Sequence, residues 1–331
     1  MSKAMIGYIL SIAALLVAIW LGVSVGSVKV PISTLWDTGA DAIASNIVWK
    51  IRMPRVVLAG LVGASLAIAG AAFQGLLKNP LADPYTLGVS SGASVGAVTT
   101  LFFGISVPFL GIFTLPVFSM IGALVTMLAV ISFAKLVDRA MKMETIILTG
   151  IIFSSFLGSV ISLMIALTGE ELRQIISWLL GSVSMRGWSF VQMALPFVFI
   201  GTLLLWVNRR ELNAMLFGEE RAQHLGVNVK KRKMMILIGG SMLTGTAVAV
   251  SGTIGFVGLV VPHMTRLLFG SDNRHVLPLS FINGASLLII CDLVSRTIIA
   301  PTELPIGVIT AFIGAPVFAF IFFRQRKKGG I

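Results

Sequence analysis

Apolar residues in this chain do not alternate with polar ones but run in long blocks separated by short polar segments. Blocks of about 18–23 residues are long enough to cross a hydrocarbon core of about 30 Å. In such a core only helices and closed barrels satisfy every backbone polar group, and continuous apolarity without a two-residue alternation selects helices. The pattern predicts ten of them, over residues 5–28, 55–77, 87–107, 115–135, 145–168, 189–208, 234–252, 255–270, 277–296 and 306–323. A short amphipathic stretch, Glu170 to Ser184, follows the fifth and is expected at the membrane interface. The expected fold is therefore all-α and polytopic, a single transmembrane domain over residues 1–331.

Composition agrees. Of 331 residues, 56% are hydrophobic and 11% charged, against roughly 25% charged in soluble proteins. The net charge of +12 raises nucleic acid as a partner, but the basic residues sit in short segments between apolar blocks, where they set membrane orientation instead. With both termini cytoplasmic, 18 of the 25 Lys and Arg residues fall inside, and Lys29, Lys50, Arg52, Arg55, Arg173, Arg186 and Arg296 outside. The reverse orientation violates the positive-inside bias. The apolar stretch from Met5 to Val28 exceeds the core of a secretory signal and is expected to be a retained span. A lone cysteine, Cys291, supports neither an internal disulfide nor a cysteine metal cage.

Two features suggest how such helices pack. Ala59, Gly63, Ala67, Ala71 and Gly75 recur every four residues on the second helix, and Gly88, Gly92 and Gly96 repeat the device at the third. Small-residue ridges let backbones approach where lipid removes the usual hydrophobic drive, so packing is the first reading and a pathway lining the second. Gly63-Ala-Ser-Leu-Ala-Ile-Ala-Gly70 on the second helix also resembles Gly245-Thr-Ala-Val-Ala-Val-Ser-Gly252 on the seventh. The orientation makes this pair antiparallel, an inverted repeat of the kind that transporters use.

Chemistry-bearing residues are sparse. The three histidines, His224, His263 and His275, lack zinc spacing, and the chain has no Gly-Lys of a phosphate-binding loop. If ATP drives this protein, another chain binds it. No cofactor or metal is expected on this one. Pro262-His263 reads as a kink with a hydrogen-bonded histidine. The clearest buried acid, Asp292, lies four residues before Arg296 and is expected to pair with it. This leaves little for ion coupling, which usually keeps carboxylates in the bundle. The inner loop from Arg209 to Lys233 interleaves Leu216 and Phe217 with Glu219, Glu220, Arg221, His224 and Leu225, closed by Gly226. A short helix over 213–226, too polar to insert, suits docking of a soluble partner. On the outer side Arg52-Met-Pro-Arg55 opens the second helix and Arg296 closes the ninth. Three arginines there are lipid-headgroup anchors or receivers of a carboxylate-bearing partner.

At these residues the chain resembles the FecCD family of ABC-importer permeases, which serve ferric siderophores, haem and vitamin B12. The matching stretches are Arg52-Met-Pro-Arg55, Asn79-Pro-Leu-Ala-Asp-Pro-Tyr-Thr-Leu-Gly-Val-Ser-Ser-Gly-Ala93, Gly218-Glu-Glu-Arg-Ala-Gln-His-Leu-Gly226, Gly255-Phe-Val-Gly-Leu-Val-Val-Pro-His263 and Glu303-Leu-Pro-Ile-Gly-Val-Ile-Thr-Ala-Phe-Ile-Gly-Ala-Pro-Val317. The resemblance implies ten helices, a second permease subunit (a copy or a related chain), two cytoplasmic ATPases that carry ATP and magnesium, and an outer substrate-binding protein. It implies that Arg52, Arg55 and Arg296 receive glutamates of that binding protein, and that Gly218–Gly226 is where the ATPase pushes. Asn79, Asp83, Met143 and Glu144 are the candidate inner gate. An iron–siderophore complex is the expected cargo, since siderophore systems are the more numerous, with cobalamin or haem as alternatives. A stand-alone secondary carrier or efflux protein is the reading from another class. The membrane concerned is a bacterial cell membrane.

Overall fold

The computed structural model describes residues 3–26, 42–139 and 141–328. The end of the first predicted span and Lys29 lie outside them. Helices account for most of the described residues: α1 (Lys3–Ser24), α2 (Ala42–Asn46), α3 (Met53–Leu77), α4 (Val89–Phe102), α5 (Thr114–Val137), α6 (Met143–Leu167), α7 (Leu172–Leu179), α8 (Gly187–Val207), α9 (Arg209–Leu216), α10 (Glu219–His224), α11 (Val229–Ser251), α12 (Val257–Phe269), α13 (Asn273–Thr297) and α14 (Ile306–Lys328). A π-helical turn, Ile47–Arg52, joins α2 to α3. Seven helices, or continuous helical stretches, are long and apolar enough to cross a membrane, and three apolar helices are shorter: Val89–Phe102, Val257–Phe269 and Ile306–Phe320.

Helix α3 is the axis of the bundle. Residues on all its faces are buried, and α13, α11, α12 and α8 pack around it. Its four-residue ridge fits this position. A Cβ on Gly63 would collide with the Gly284 carbonyl of α13 and stand 2.6 Å from the Leu288 Cβ, while one on Gly284 would strike Ala67. Ala59 and Ala71 are fully buried, and Gly75 faces Asn273 at the start of α13. Gly92 and Gly96 play the same part between α4 and α5, where added methyls would meet the carbonyls of Gly122 and Phe118. Gly88 does not belong to that ridge. It lies one residue ahead of α4 at φ 78°, a left-handed turn that faces Gly150 of α6.

Helices α3 and α11, which carry the two predicted repeat units, pack against each other, with Phe73 near the end of α3 against Gly240 at the middle of α11. Each is followed by a non-α-helical segment and then a short helix: residues 78–88 before α4, and 252–256 before α12. The pattern called for longer third and eighth helices, 87–107 and 255–270. At about 1.5 Å per residue, the 14 residues of α4 and 13 of α12 are too short to cross about 30 Å alone. Residues 103–107 and 255–256 are apolar or small, so hydropathy carried the predicted helices through them; the breaks themselves fell between predicted helices, at 78–86 and 253–254. By contrast α6 is open along much of its length, with Leu148, Ile151, Ile152, Phe156, Leu163 and Leu167 exposed.

Replacing Gly63 by Ala should cost about 2 kcal/mol or more, because backbone rather than a flexible side chain occupies the space. Gly169, with nothing within 4 Å of an added Cβ, should tolerate the same change. Thermal unfolding of the two purified variants in detergent compares them; equal melting would remove the α3–α13 contact as a packing constraint.

Candidate functional site

The functional side chains gather at three levels: the end that the Lys and Arg distribution places inside, the middle of the bundle, and the opposite, outer end. At the inner end, the expected single helix over 213–226 is two helices. Gly218 takes φ 115° between α9 and α10, a backbone that breaks a helix and that residues with a Cβ rarely adopt. Leu212, Met215 and Ala222 are buried against the bundle, while Phe217 (68% exposed) and Leu225 (71%) stay open beside exposed Glu220, Arg221 and His224. Leu216 is half-buried, and Gly226 ends the element at φ 83°. Glu219 turns inward: its carboxylate accepts from the Lys233 ammonium at 2.7 Å, and Lys233 also donates to the Met141 carbonyl at 3.0 Å. Asn213 joins this element to α13, donating to Asp272 at 2.6 Å and accepting from the Asn273 amide at 2.9 Å. The Arg274 guanidinium, bonded to both Asp272 oxygens, holds that carboxyl well below the usual carboxylate range.

From the inner end into the middle runs the segment expected to gate. Asn79 accepts from the Leu81 amide at 2.9 Å, making the rigid turn anticipated for this proline-rich stretch. Asp83 accepts from the Tyr85 amide at 2.9 Å and so caps a 3₁₀ turn, Pro84–Leu87. This turn is wedged into the bundle. Gly258 has room only for a hydrogen where Pro84 abuts it, and Gly150 where it meets the Thr86 carbonyl. Helix α6 thus meets the segment at Gly150 rather than at half-buried Met143 or exposed Glu144. The string Gly88-Val-Ser90-Ser-Gly92 has the spelling of a hydrolase nucleophile elbow, but Ser90 is buried in the first turn of α4 with no strand before it. His263 is buried in α12 beside Pro262, and no cluster of three or more potential metal ligands occurs among the described residues.

At the outer end Arg52, Arg55 and Arg296 converge, and their state differs from the expected open receivers. They are 4%, 8% and 6% exposed. Arg52 donates to the Val23 and Ser24 carbonyls at the end of α1, both at 2.9 Å, and Arg296 to the Gly22 carbonyl. Arg55 bonds Asp292 at 2.9 and 3.1 Å, Glu303 at 2.8 and 3.0 Å, and Ser184 at 3.2 Å. The expected Asp292–Arg296 pair is the looser one, at 3.7 Å; the close partner of Asp292 arrives from α3. A guanidinium among packed helix ends is expensive unless carbonyls and carboxylates satisfy it, so the arginines turn inward. Glu303 is 37% exposed at its side chain; burial raises its carboxyl, but bonding to Arg55 outweighs this and holds it low. Beside the cluster opens a cavity of about 710 Å³ lined by Glu170, Arg173, Gln174, Ser177, Trp178 and Arg186. The amphipathic stretch supplies much of this wall, as α7 and the chain that follows it. Glu303 went unused in the sequence reading although it opens a matching motif. Its signal was an acid in a segment where arginine prevails.

Substituting Asp272 by Ala should loosen α13 and α9 together, by about 1 kcal/mol for the lost cap, read as faster tryptic cleavage at Arg209 and Arg210. Because the carboxyl is depressed in the folded protein, its contribution is full above the ordinary carboxylate pKa of about 4 and vanishes as pH falls below that range. The variant and the parent should therefore converge in strong acid.

A family model described as the FecCD transport family matches residues 14–324. The chain is 61% identical over 333 residues to the uncharacterized ABC transporter permease protein YvrB of Bacillus subtilis, covering 97% of this chain and 94% of that one. It is 36% identical over 332 residues to the hemin transport system permease protein HmuU of Yersinia pestis, covering 98% and 97%. Further relatives are named as import permeases for Fe(3+) dicitrate, vitamin B12 and molybdate. A solved metal-chelate-type ABC transporter in an inward-facing conformation superposes with a TM-score of 0.84 at 29% identity, covering 95% of this chain and 97% of that one.

Proposed function

The chain belongs to the FecCD transport family as a multi-pass ABC-importer permease, and from that premise we propose that it conducts an iron–siderophore complex into a bacterial cytoplasm. It does so as a ten-span subunit with both termini inside, paired with a second permease subunit. The energy comes from two ATPases below, which bind the ATP and magnesium, and the cargo from a binding protein above. One observation carries the choice of an external energy source. Asp292, the one fully buried carboxylate among the described residues, is neutralised by Arg55 and Arg296, so it is not an open acid for ion coupling. Iron is the cargo because relatives named for hemin and Fe(3+) dicitrate move iron chelates; cobalamin and haem are the alternatives within the same machinery.

On this reading Phe217, Leu225, Glu220, Arg221 and His224 present the ATPase with an apolar and charged surface, while Leu216, Gly218, Glu219 and Gly226 shape and anchor it. Asn79, Asp83 and the start of α6 around Met143 and Glu144 form the inner gate. Ridges such as Ala59–Gly75 let helices shift without opening voids. At the outer end the three arginines outnumber Asp292 and Glu303, leaving one net positive charge. A carboxylate of the binding protein gains Arg55 by displacing partly exposed Glu303. Such exchange favours orientation and on-rate over affinity.

Two measurements test this. Proteoliposomes holding the permease, its ATPase and its binding protein should accumulate ferrichrome with ATP and continue under a protonophore, whereas the permease alone should accumulate nothing. Uptake of cyanocobalamin or hemin in place of ferrichrome would transfer the cargo, and collapse under the protonophore would overturn the importer reading. Separately, Glu303→Gln should strengthen binding-protein association severalfold at low salt, an advantage lost at about 1 M salt, where the Debye length is about 3 Å. Unchanged association would assign the arginines to packing alone.

A further inference from the structure

The two interruptions, residues 78–88 and 252–256, come from opposite ends of the bundle and meet through one side chain. The Tyr85 hydroxyl donates to the Ile254 carbonyl at 2.7 Å and accepts from the Ile254 amide at 2.9 Å. Both polar groups of one residue are thus satisfied by a single phenol, at a place where the chain is not helical and cannot satisfy them itself. The junction is central: the Gly258 backbone lies against Gly70 midway along α3, and Gln74 donates to the Leu259 carbonyl at 3.0 Å.

From Ile254 the contacts continue outward. Thr253 donates its hydroxyl to the Leu179 carbonyl, and the Ser182 amide donates to the Ser251 carbonyl at 2.7 Å. A methyl on Gly252 would strike the Trp178 carbonyl, one on Gly181 (φ 78°) would lie 2.6 Å from the Thr253 carbonyl, and the Ile306 amide donates to the Gly181 carbonyl at 3.0 Å. The outer helix α7, which lines the 710 Å³ cavity, and the start of α14 are thereby fixed to the same interruption that Tyr85 holds. On the other side Tyr85 belongs to the turn capped by Asp83, whose neighbour Pro84 abuts Gly258.

We propose that Tyr85 is a positioning residue that couples the inner turn, residues 79–88, to the outer helix α7 and its cavity, through Ile254 and the 251–254 backbone. A displacement of the inner turn then moves the outer wall with it, because the link is made of short hydrogen bonds and backbone contacts, bridged only by the Tyr85 phenol and the short Thr253 side chain. The proposal depends on this geometry and not on which chelate is carried. Energetic coupling between sites is reciprocal, so it must be visible from either end.

Hydrogen exchange of the full-length protein in lipid nanodiscs reads it directly. Tyr85→Phe keeps the ring and removes only the hydroxyl. It should speed exchange about tenfold, the factor expected for one lost hydrogen bond, both at 252–256 and at the remote 178–183 stretch. Thr86→Val, which removes a bond made only to Asp83 within the turn, should change residues 82–88 alone. From the outer end, Gly181→Ala should speed exchange at 82–88. Faster exchange confined to 82–88 in Tyr85→Phe, or no change, would overturn the proposal. Should that variant not survive purification, Gly181→Ala decides: an effect confined to 178–183 and 252–256 rejects the coupling.

Discussion

A main-chain amide in hydrocarbon has no water to bond with, and this constraint organises the molecule. Regular helices meet it internally. Two stretches of this chain do not, residues 78–88 and 252–256, and they exist only because the surrounding protein supplies what the missing helical turns would have supplied. The Asp83 carboxylate, the Tyr85 hydroxyl and the Ser182 amide are those substitutes. Their presence makes possible two short helices that begin inside the bundle, and with them a structure whose middle is not a stack of uninterrupted rods.

The same constraint explains why glycine sits where it does. Bringing satisfied backbone against satisfied backbone requires that nothing stand between, and Gly63 with Gly284, Gly70 with Gly258, and Gly96 with Phe118 are places where a methyl would already collide. Packing without a hydrophobic drive depends on such close approach. Helix α3 can therefore be buried on every face, as the post around which the remainder is arranged, while α6 keeps a long apolar face that nothing among the described residues covers.

Charge follows different rules at the two ends. At the outer end the guanidiniums are drawn into the helix ends and consumed by carbonyls and two carboxylates, so their first effect is to clamp α1, α3, α13 and the segment at Glu303. At the inner end the charges divide. Lys233 with Glu219 and Asp272 with Asn213 fasten the α9–α10 element to the bundle, while its remaining charges and two large apolar side chains face outward. One short element thus holds firmly on one side and stays exposed on the other.

How far the chain could be read without coordinates varied with the kind of information. Hydropathy located the apolar helices, because burial in lipid depends on composition within a window and not on neighbours. The four-residue ridge on α3 was legible because helical period converts spacing directly into a face. The breaks at 78–88 and 252–256 fell between predicted helices, but how the backbone turns there, with φ 78° at Gly88 and 71° at Gly252, and the split of the inner helix at Gly218, φ 115°, were not legible. Ionic partnership was legible only in part: the Asp292–Arg296 pair forms, at 3.7 Å, but it is not the close one. Spacing along one helix proposed Arg296 for Asp292, but a buried charge takes whichever counter-charge the packing delivers, and α3 delivered Arg55. Sequence alone determined that this chain lives in a membrane, where its long apolar helices lie and which family it joins; which backbone breaks meet at the centre, and which charges answer each other, were decided by tertiary structure, because those contacts join residues up to 274 positions apart that no local pattern relates.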